Sequence, residues 1–279
     1  MPGLVVEGGA FRGAYTDGAL DALIAHNIEF PYIIGVSAGI SNAYSYASKQ
    51  FGRNWKILEQ YRGDKRYLGA RNFLTCKSLF GLDFIYDEIP NKLIPFDYEA
   101  LRSYPGKLLA GVTNARTGKA EYFEPDFSDR TFQILRATCA LPLFFPVIRV
   151  QGKEYYDGGM ADPIPIRRAI DDGNRKNLII LTREPGYRKT AGRSTKLSAA
   201  AIGRRYPALK EVVLHRHIGY NKTVALCEKL EQQGQAVILR PCANINVGRF
   251  EGDIVKLRRL YEAGYADAEA KLEQIRGLF

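Results

Sequence analysis

The pentapeptide Gly35-Val36-Ser37-Ala38-Gly39 follows the apolar run Phe30-Pro31-Tyr32-Ile33-Ile34 and precedes a helix-compatible stretch. That layout presents a serine hydroxyl on a sharp strand-to-helix turn. The pattern alone arises by chance in roughly one chain in ten of this length. The rest of the sequence therefore has to supply a base and a group that stabilises developing negative charge.

The flanking segments set the frame. Leu4–Glu7 reads as a short buried strand and runs into Gly8-Gly9-Ala10-Phe11-Arg12-Gly13, ahead of an apolar-periodic helix over Ala14–Ile24. Tyr32–Val36 gives a second strand and Ala38–Lys49 a second helix, so the first fifty residues form a βαβ unit with a right-handed crossover. The two loops are thereby placed side by side at one edge of a parallel sheet. Further strands are expected at Lys107–Thr113, Ala120–Glu124, Val147–Val150, Glu154–Tyr156, Leu178–Thr182 and Ala236–Arg240. Residues 53–95 mix aromatics, glycines and charges, and read as helices and loops covering the site. The last segment carries Ile254, Leu257, Tyr261, Tyr265, Ala268, Leu272 and Ile275 at helical spacing after Asp253, which predicts a helix with one face packed on the domain. Strands alternating with helices give an α/β layered fold with a mostly parallel sheet.

With 279 residues, 46% apolar and 25% charged, and no low-complexity linker, the chain reads as a single domain over 1–279. Its core would cover about 1–185, with a C-terminal extension over about 186–279. The first residues, Met1 to Glu7, show neither a basic leader nor a long apolar segment, so a cytoplasmic location is expected. Cys76, Cys139, Cys227 and Cys242 are scattered without metal-ligand spacing and read as reduced, mostly buried thiols. A net charge of +10 predicts attraction to polyanions, but no zinc finger or RNP-type motif points to nucleic acid.

A serine needs an adjacent base to attack a carbonyl at neutral pH. His26 closes a helix, and His215 and His217 lie in a basic helical stretch, so none of the three suits that role. Tyr155-Tyr156-Asp157-Gly158-Gly159 offers another base: a strand ends in an aspartate, and two glycines let the turn bend tightly enough to bring the carboxylate to another loop. A simple Asp-Gly-Gly turn is the alternative for these residues taken alone. Gly8 to Gly13 present successive backbone N–H groups at a helix start, suited to a developing oxyanion. They do not match the Gly-x-Gly-x-x-Gly spacing of a dinucleotide loop. Arg12 either orients that loop by pairing with a carboxylate or a carbonyl, or binds a substrate phosphate.

These blocks carry a family resemblance. Gly8-Gly9-Ala10-Phe11-Arg12-Gly13, Gly35-Val36-Ser37-Ala38-Gly39 and Asp157-Gly158-Gly159 occur in the order found in patatin-like phospholipases. Between the last two, Ala137-Thr138-Cys139-Ala140-Leu141-Pro142-Leu143-Phe144-Phe145-Pro146 is similar to that family's small-residue, proline and phenylalanine block. The resemblance covers roughly the first two thirds of the chain. Past about Asn177 it weakens, although Gly219-Tyr220-Asn221-Lys222 and the final helix look like a bacterial subgroup.

The resemblance implies a three-layer patatin-like fold and a lipid acyl hydrolase with no metal or other cofactor. It implies a Ser-Asp dyad of Ser37 and Asp157 and an oxyanion hole from Gly8, Gly9 and Ala10 with the Ala38 N–H. Arg12, Gly13, Gly35, Gly39, Gly158 and Gly159 would support them. Ala10 stands where the family usually has a third glycine, at a cost of about 1 kcal/mol if that position needs positive φ. A soluble esterase or thioesterase and a catalytically weak lipid-binding adaptor remain alternatives. The basic segment Arg183–Arg205 is either a mobile loop that touches an anionic membrane peripherally or a solvated loop with a basic bias.

Overall fold

The computed structural model describes residues 1–242 and 245–279. Among them eight strands form one sheet: β1 (Pro2–Val6), β2 (Tyr32–Val36), β3 (Lys107–Asn114), β4 (Ala120–Phe123), β5 (Ile148–Val150), β6 (Lys153–Asp157), β7 (Lys176–Ile180) and β8 (Ala236–Leu239). Hydrogen-bonded pairing runs along the path β5-β6-β3-β2-β1-β7-β8, with β4 also paired to β3. The central strands β3, β2, β1, β7 and β8 run parallel, and β4, β5 and β6 attach antiparallel at one end.

The parallel strands are apolar on both faces, as a doubly covered sheet requires. Leu4, Ile33, Leu108, Leu178 and Val237 point into one core, and their neighbours Val5, Ile34, Leu109, Ile179 and Ile238 point into a second. The helices are α1 (Ala14–Ala25), α2 (Ser37–Ala47), α3 (Arg53–Tyr61), α4 (Asn72–Cys76), α5 (Tyr98–Arg102), α6 (Gln133–Thr138), α7 (Ile166–Asp171), α8 (Arg193–Gly203), α9 (Pro207–Gln232), α10 (Ile254–Ala270) and α11 (Leu272–Arg276). Helices α1, α2 and α10 bury residues in the first core, and α7 and most of α9 in the second. The result is the expected three-layer α/β fold.

The C-terminal stripe packs as its spacing predicts. Asp253 caps α10 by accepting from the Val255 and Lys256 N–H groups at 2.9 and 3.3 Å. Leu257 and Leu260 are fully buried, each contributing about 2 kcal/mol. α10 crosses α1 backbone to backbone: a Cβ on Gly18 would overlap the Tyr261 carbonyl, and one on Gly264 the Tyr15 carbonyl.

One segment and one cysteine differ from expectation. Part of Arg183–Arg205 is the helix α8, and Arg188 and Arg205 pair with Glu228 and Glu154 at 2.6 Å each. The segment is therefore not one free basic loop. Cys227 is buried, but Cys242 is exposed, against the reading of the thiols as mostly buried. Residues 53–95 form α3, α4 and a wide π-type helix over Phe84–Leu93 that contains Pro90. Among the described residues no helix is long and apolar enough to cross a membrane.

Chain order reverses at β1, with β2 and β3 on one side and β7 and β8 on the other. In open parallel sheets ligands bind beyond the carboxyl ends of the strands at such a switch point. The loops that leave β1, β2 and β7 all converge there.

Candidate active site

Strands β2 and β6 bring Ser37 and Asp157 together by approaching head to head along one side of β3. β2 pairs with β3 as far as Val36 opposite Gly111. β6 starts its pairing one step further on, with Asp157 opposite Val112. β4 pairs with Ala110 to Thr113 and so occupies the other side of β3. The two strand ends therefore point at each other, and the Ser37 hydroxyl donates to Asp157 Oδ2 at 2.8 Å. Asp157 Oδ1 accepts the Gly159 N–H at 2.8 Å. Exposures of 7% for Ser37 and 2% for Asp157 keep bulk water from competing for this bond.

The turn at Ser37 is strained, with φ +54°, and its surroundings hold it there. The Ser37 N–H donates to Thr138 Oγ1 at 2.8 Å, and the Thr138 hydroxyl donates onward to the Gly111 carbonyl. The turn also lies directly on the end of β1. A Cβ on Gly39 would run into the Glu7 carbonyl, and one on Gly8 would sit 2.8 Å from Ser37 Cβ. Gly35 is likewise pressed against Val6, and Gly158 against the Gly111 carbonyl. Thr113 fixes the other partner, its hydroxyl donating to the Asp157 carbonyl at 2.8 Å.

The glycine-rich loop borders the same space. Among the described residues the Gly8 and Gly9 N–H groups have no protein acceptor, which is unusual for a buried residue such as Gly9 and leaves both donors available. Ala10 takes φ +49°, so the methyl group does carry left-handed strain. Ala38 lies in the first turn of α2, where N–H groups lack intrahelical partners. The Gly13 carbonyl accepts from Asn42 Nδ2 at 3.1 Å, tying the loop to α2. Arg12 joins no ion pair among the described residues, and its Nε has no partner. It lines a polar chamber beside Ser37.

Burial raises the Asp157 pKa above the ordinary aspartate value. The Ser37 hydroxyl, Arg216 and the Gly159 N–H act in the opposite direction. Arg216 lies against this turn, with its Nε donating to the Gly159 carbonyl. Burial pushes the nearby Cys139 thiol up to about 11, which leaves it protonated and a poor nucleophile. None of His26, His215 and His217 lines the space around Ser37.

Two chambers meet at the serine. One is a mainly apolar cavity of about 180 Å³, walled by Phe11, Phe80, Leu135 and Phe145 and by Ile57, Leu58, Tyr67, Ile85 and Pro90 from the covering segment 53–95. The other is a smaller polar chamber of about 60 Å³ on the side of Gly8, Gly9 and Asp157. Thr138, Arg216, Lys189 and Arg249 also stand around this centre, and no motif in the sequence assigns them to it. Thr138 lies inside a block already singled out, yet nothing in that block says its hydroxyl faces Gly111. Lys189 lies in the basic segment Arg183–Arg205, whose charge pattern gives it no place in the site, and Arg216 and Arg249 lie in stretches with no motif.

Comparison with known proteins identifies the family of the chain. The family model described as patatin-like phospholipase matches residues 4–170, and one described as a domain of unknown function (DUF6363) matches residues 206–279. The uncharacterized protein YjjU of Escherichia coli K12 is 27% identical over 183 residues, 64% of this chain and 51% of YjjU. A cGAMP-activated phospholipase of Pseudomonas aeruginosa is 26% identical over 178 residues, 58% of this chain and 53% of that protein. The aligned regions thus span about half the length of these two relatives. The crystal structure of VipD from Legionella pneumophila superposes with a TM-score of 0.53 at 13% identity, over 99% of this chain and 66% of VipD. With the family match spanning more than half of its length, the chain belongs to the patatin-like phospholipase family.

Proposed function

We propose that the protein is a serine lipid acyl hydrolase of the phospholipase A or lysophospholipase type, working through an acyl-enzyme. The observation that carries this reading is the buried 2.8 Å hydrogen bond from Ser37 to Asp157 at the mouth of an apolar cavity. Asp157 accepts the hydroxyl proton as Ser37 Oγ bonds to the ester carbonyl carbon, and the carbonyl π electrons move onto oxygen. The Gly8, Gly9, Ala10 and Ala38 N–H groups receive that oxyanion. Collapse expels the alcohol, which takes the proton from Asp157. Water then repeats the sequence: it gives a proton to Asp157 and attacks the acyl-serine, and the free acid leaves as Ser37 regains its proton.

The cavity supports a long-chain substrate over a small one, because its walls are aromatic and aliphatic and it opens at Ser37. Burying an acyl chain there gains about 0.8 kcal/mol per CH₂. The test is labelling with a fluorophosphonate probe, read by peptide mass spectrometry. Labelling is expected at Ser37 and is expected to vanish in Asp157→Asn. Folded protein that takes no label would favour the lipid-binding adaptor. Turnover that does not rise with acyl-chain length would favour a small-substrate esterase.

A further inference from the structure

The polar chamber beside Ser37 has a composition the acyl-transfer chemistry does not use. Arg12, Arg183, Lys189, Arg216 and Arg249 line it, against only two carboxylates, Glu7 and Asp157. Both carboxylates are already engaged, Glu7 by the Thr182 N–H at 2.7 Å and Asp157 by Ser37 and Gly159. Among the described residues none of the five cations forms a salt bridge.

This is a built cluster, held by specific contacts. The Lys189 N–H donates to Asn221 Oδ1 at 2.8 Å, and Asn221 Nδ2 donates back to the Lys189 carbonyl at 3.0 Å. Lys189 Nζ lies 4.0 Å over the Tyr220 ring, and the Arg183 guanidinium 4.3 Å over Tyr187. α9 carries Arg216 and Tyr220 one turn apart, both facing the chamber. The Arg249 carbonyl accepts the Phe11 N–H at 3.3 Å, fixing its loop to the glycine-rich turn.

Gathering five cations against two carboxylates is costly, and the groups show it. Burial, with Arg216 next in effect, pulls the Lys189 pKa down to about 7. Burial and then Arg183 pull Arg12 down to about 10. A bound dianion would relieve that repulsion. The guanidinium forks of Arg12, Arg183, Arg216 and Arg249 and the Lys189 ammonium are donors matched to phosphate oxygens.

We propose that this chamber is a phosphate subsite that takes the anionic headgroup of the ester substrate while the acyl chain lies in the apolar cavity on the other side of Ser37. The inference rests on the acyl-hydrolase reading and extends it to a substrate class: lipids whose phosphate is unshielded, such as phosphatidic or lysophosphatidic acid. It also gives the C-terminal segment a role. Only Arg12 lies in the stretch matched as patatin-like, whereas Arg216 and Arg249 lie in the stretch matched as a domain of unknown function.

Binding is measured first without chemistry. Ser37→Ala protein is titrated by calorimetry with sn-glycerol 3-phosphate and with inorganic phosphate, and folding is checked by circular dichroism and melting temperature. Glycerol 3-phosphate is expected to bind, more weakly at high salt, and about tenfold or more weaker when Lys189→Met or Arg183→Gln is added. Lys189 and Arg183 are chosen because Arg216 is packed against Gly159 and its loss could disturb the fold.

The lipid arm compares wild-type kcat/KM on phosphatidic acid and on diacylglycerol with the same chains, both in mixed micelles. Preference for the phosphate-bearing lipid, reduced about tenfold in Lys189→Met, supports the headgroup assignment. Binding of inorganic phosphate with no lipid preference would overturn it in favour of a free-phosphate site. No binding of either anion, or binding indifferent to both substitutions, would overturn the subsite itself. Anion binding in a protein that turns over no ester and takes no fluorophosphonate label would support the subsite while sinking the hydrolase reading.

Discussion

Asp157 uses its two carboxylate oxygens for different tasks: Oδ2 accepts the Ser37 hydroxyl at 2.8 Å and Oδ1 accepts the Gly159 N–H at 2.8 Å. One bond aims the carboxylate and the other presents it to the nucleophile. Asp157→Asn keeps the size and can keep the Gly159 contact, but offers no proton acceptor of comparable basicity. Ester turnover is expected to fall by about 10²–10⁴-fold. Burial disfavours the charged form of Asp157, so the variant's melting temperature at pH 8 should equal or exceed that of the wild type. Undiminished turnover would sink the dyad.

Acid should switch the enzyme off above the usual aspartate range. Asp157 accepts a proton only when ionised, and burial raises its pKa. The acid limb of the kcat/KM profile is therefore expected at a midpoint above about 3.9. Arg216 favours the ionised form, so Arg216→Met moves that limb to still higher pH. A limb that stays put or moves down in Arg216→Met, measured on a neutral soluble ester, would show that the guanidinium does not tune this carboxylate.

Ala10 carries strain that a glycine would not. At φ +49°, replacing Ala by Gly removes about 1–2 kcal/mol of left-handed strain and returns about 0.4–1 kcal/mol through the more flexible unfolded chain. Ala10→Gly should therefore raise the melting temperature by about 2–4 °C at most. Ala10→Val, branched at Cβ, should lower it. Thermal unfolding of both variants side by side checks the sign, and a stabilised Val variant would contradict the positive φ.

Thr138 is expected to act through the Ser37 turn. Thr138→Val removes the acceptor of the Ser37 N–H and the donor to the Gly111 carbonyl together, leaving two shielded backbone groups unpaired. The loss should be about 1–3 kcal/mol of stability, with slower fluorophosphonate labelling of Ser37. Thr138→Ser, which keeps the hydroxyl, should recover most of both. Equal behaviour of the Val and Ser variants would remove the hydroxyl from the account.

What the sequence disclosed followed from local chemistry. β1, β2, β7 and β8 are short runs of Leu, Val and Ile, which a doubly covered sheet demands, and each lies within two residues of its apolar run. Ser37 and Asp157 were legible because each closes a strand beside glycines. Information that depends on distant pairing was not legible. That β6 enters antiparallel, head to head with β2, comes from its pairing with β3 and has no local signature. The polar chamber joins Arg12 to residues some 170 to 240 positions away, in a stretch whose charge spacing suits a solvated loop equally well.

Asp17, on α1, gives a test of the fold that is independent of catalysis. It lines the apolar cavity, Oδ1 has no hydrogen-bond partner, and burial, with Asp21 next, raises its pKa well above the ordinary value. A carboxyl whose folded pKa is raised contributes stability that is fully present below its unfolded pKa, near 3.9, and that is lost as pH rises towards the folded value. At neutral pH the folded protein must either keep this proton or bury a charge, and both cost free energy that the unfolded chain does not face. Asp17→Asn cannot ionise, so it should be more stable than the wild type at pH 7–8 by about 1–3 kcal/mol, with the gap closing as pH falls towards 4. Melting temperatures across that range decide the matter: a gap that widens on acidification would show that Asp17 is charged and favourably placed in the folded protein.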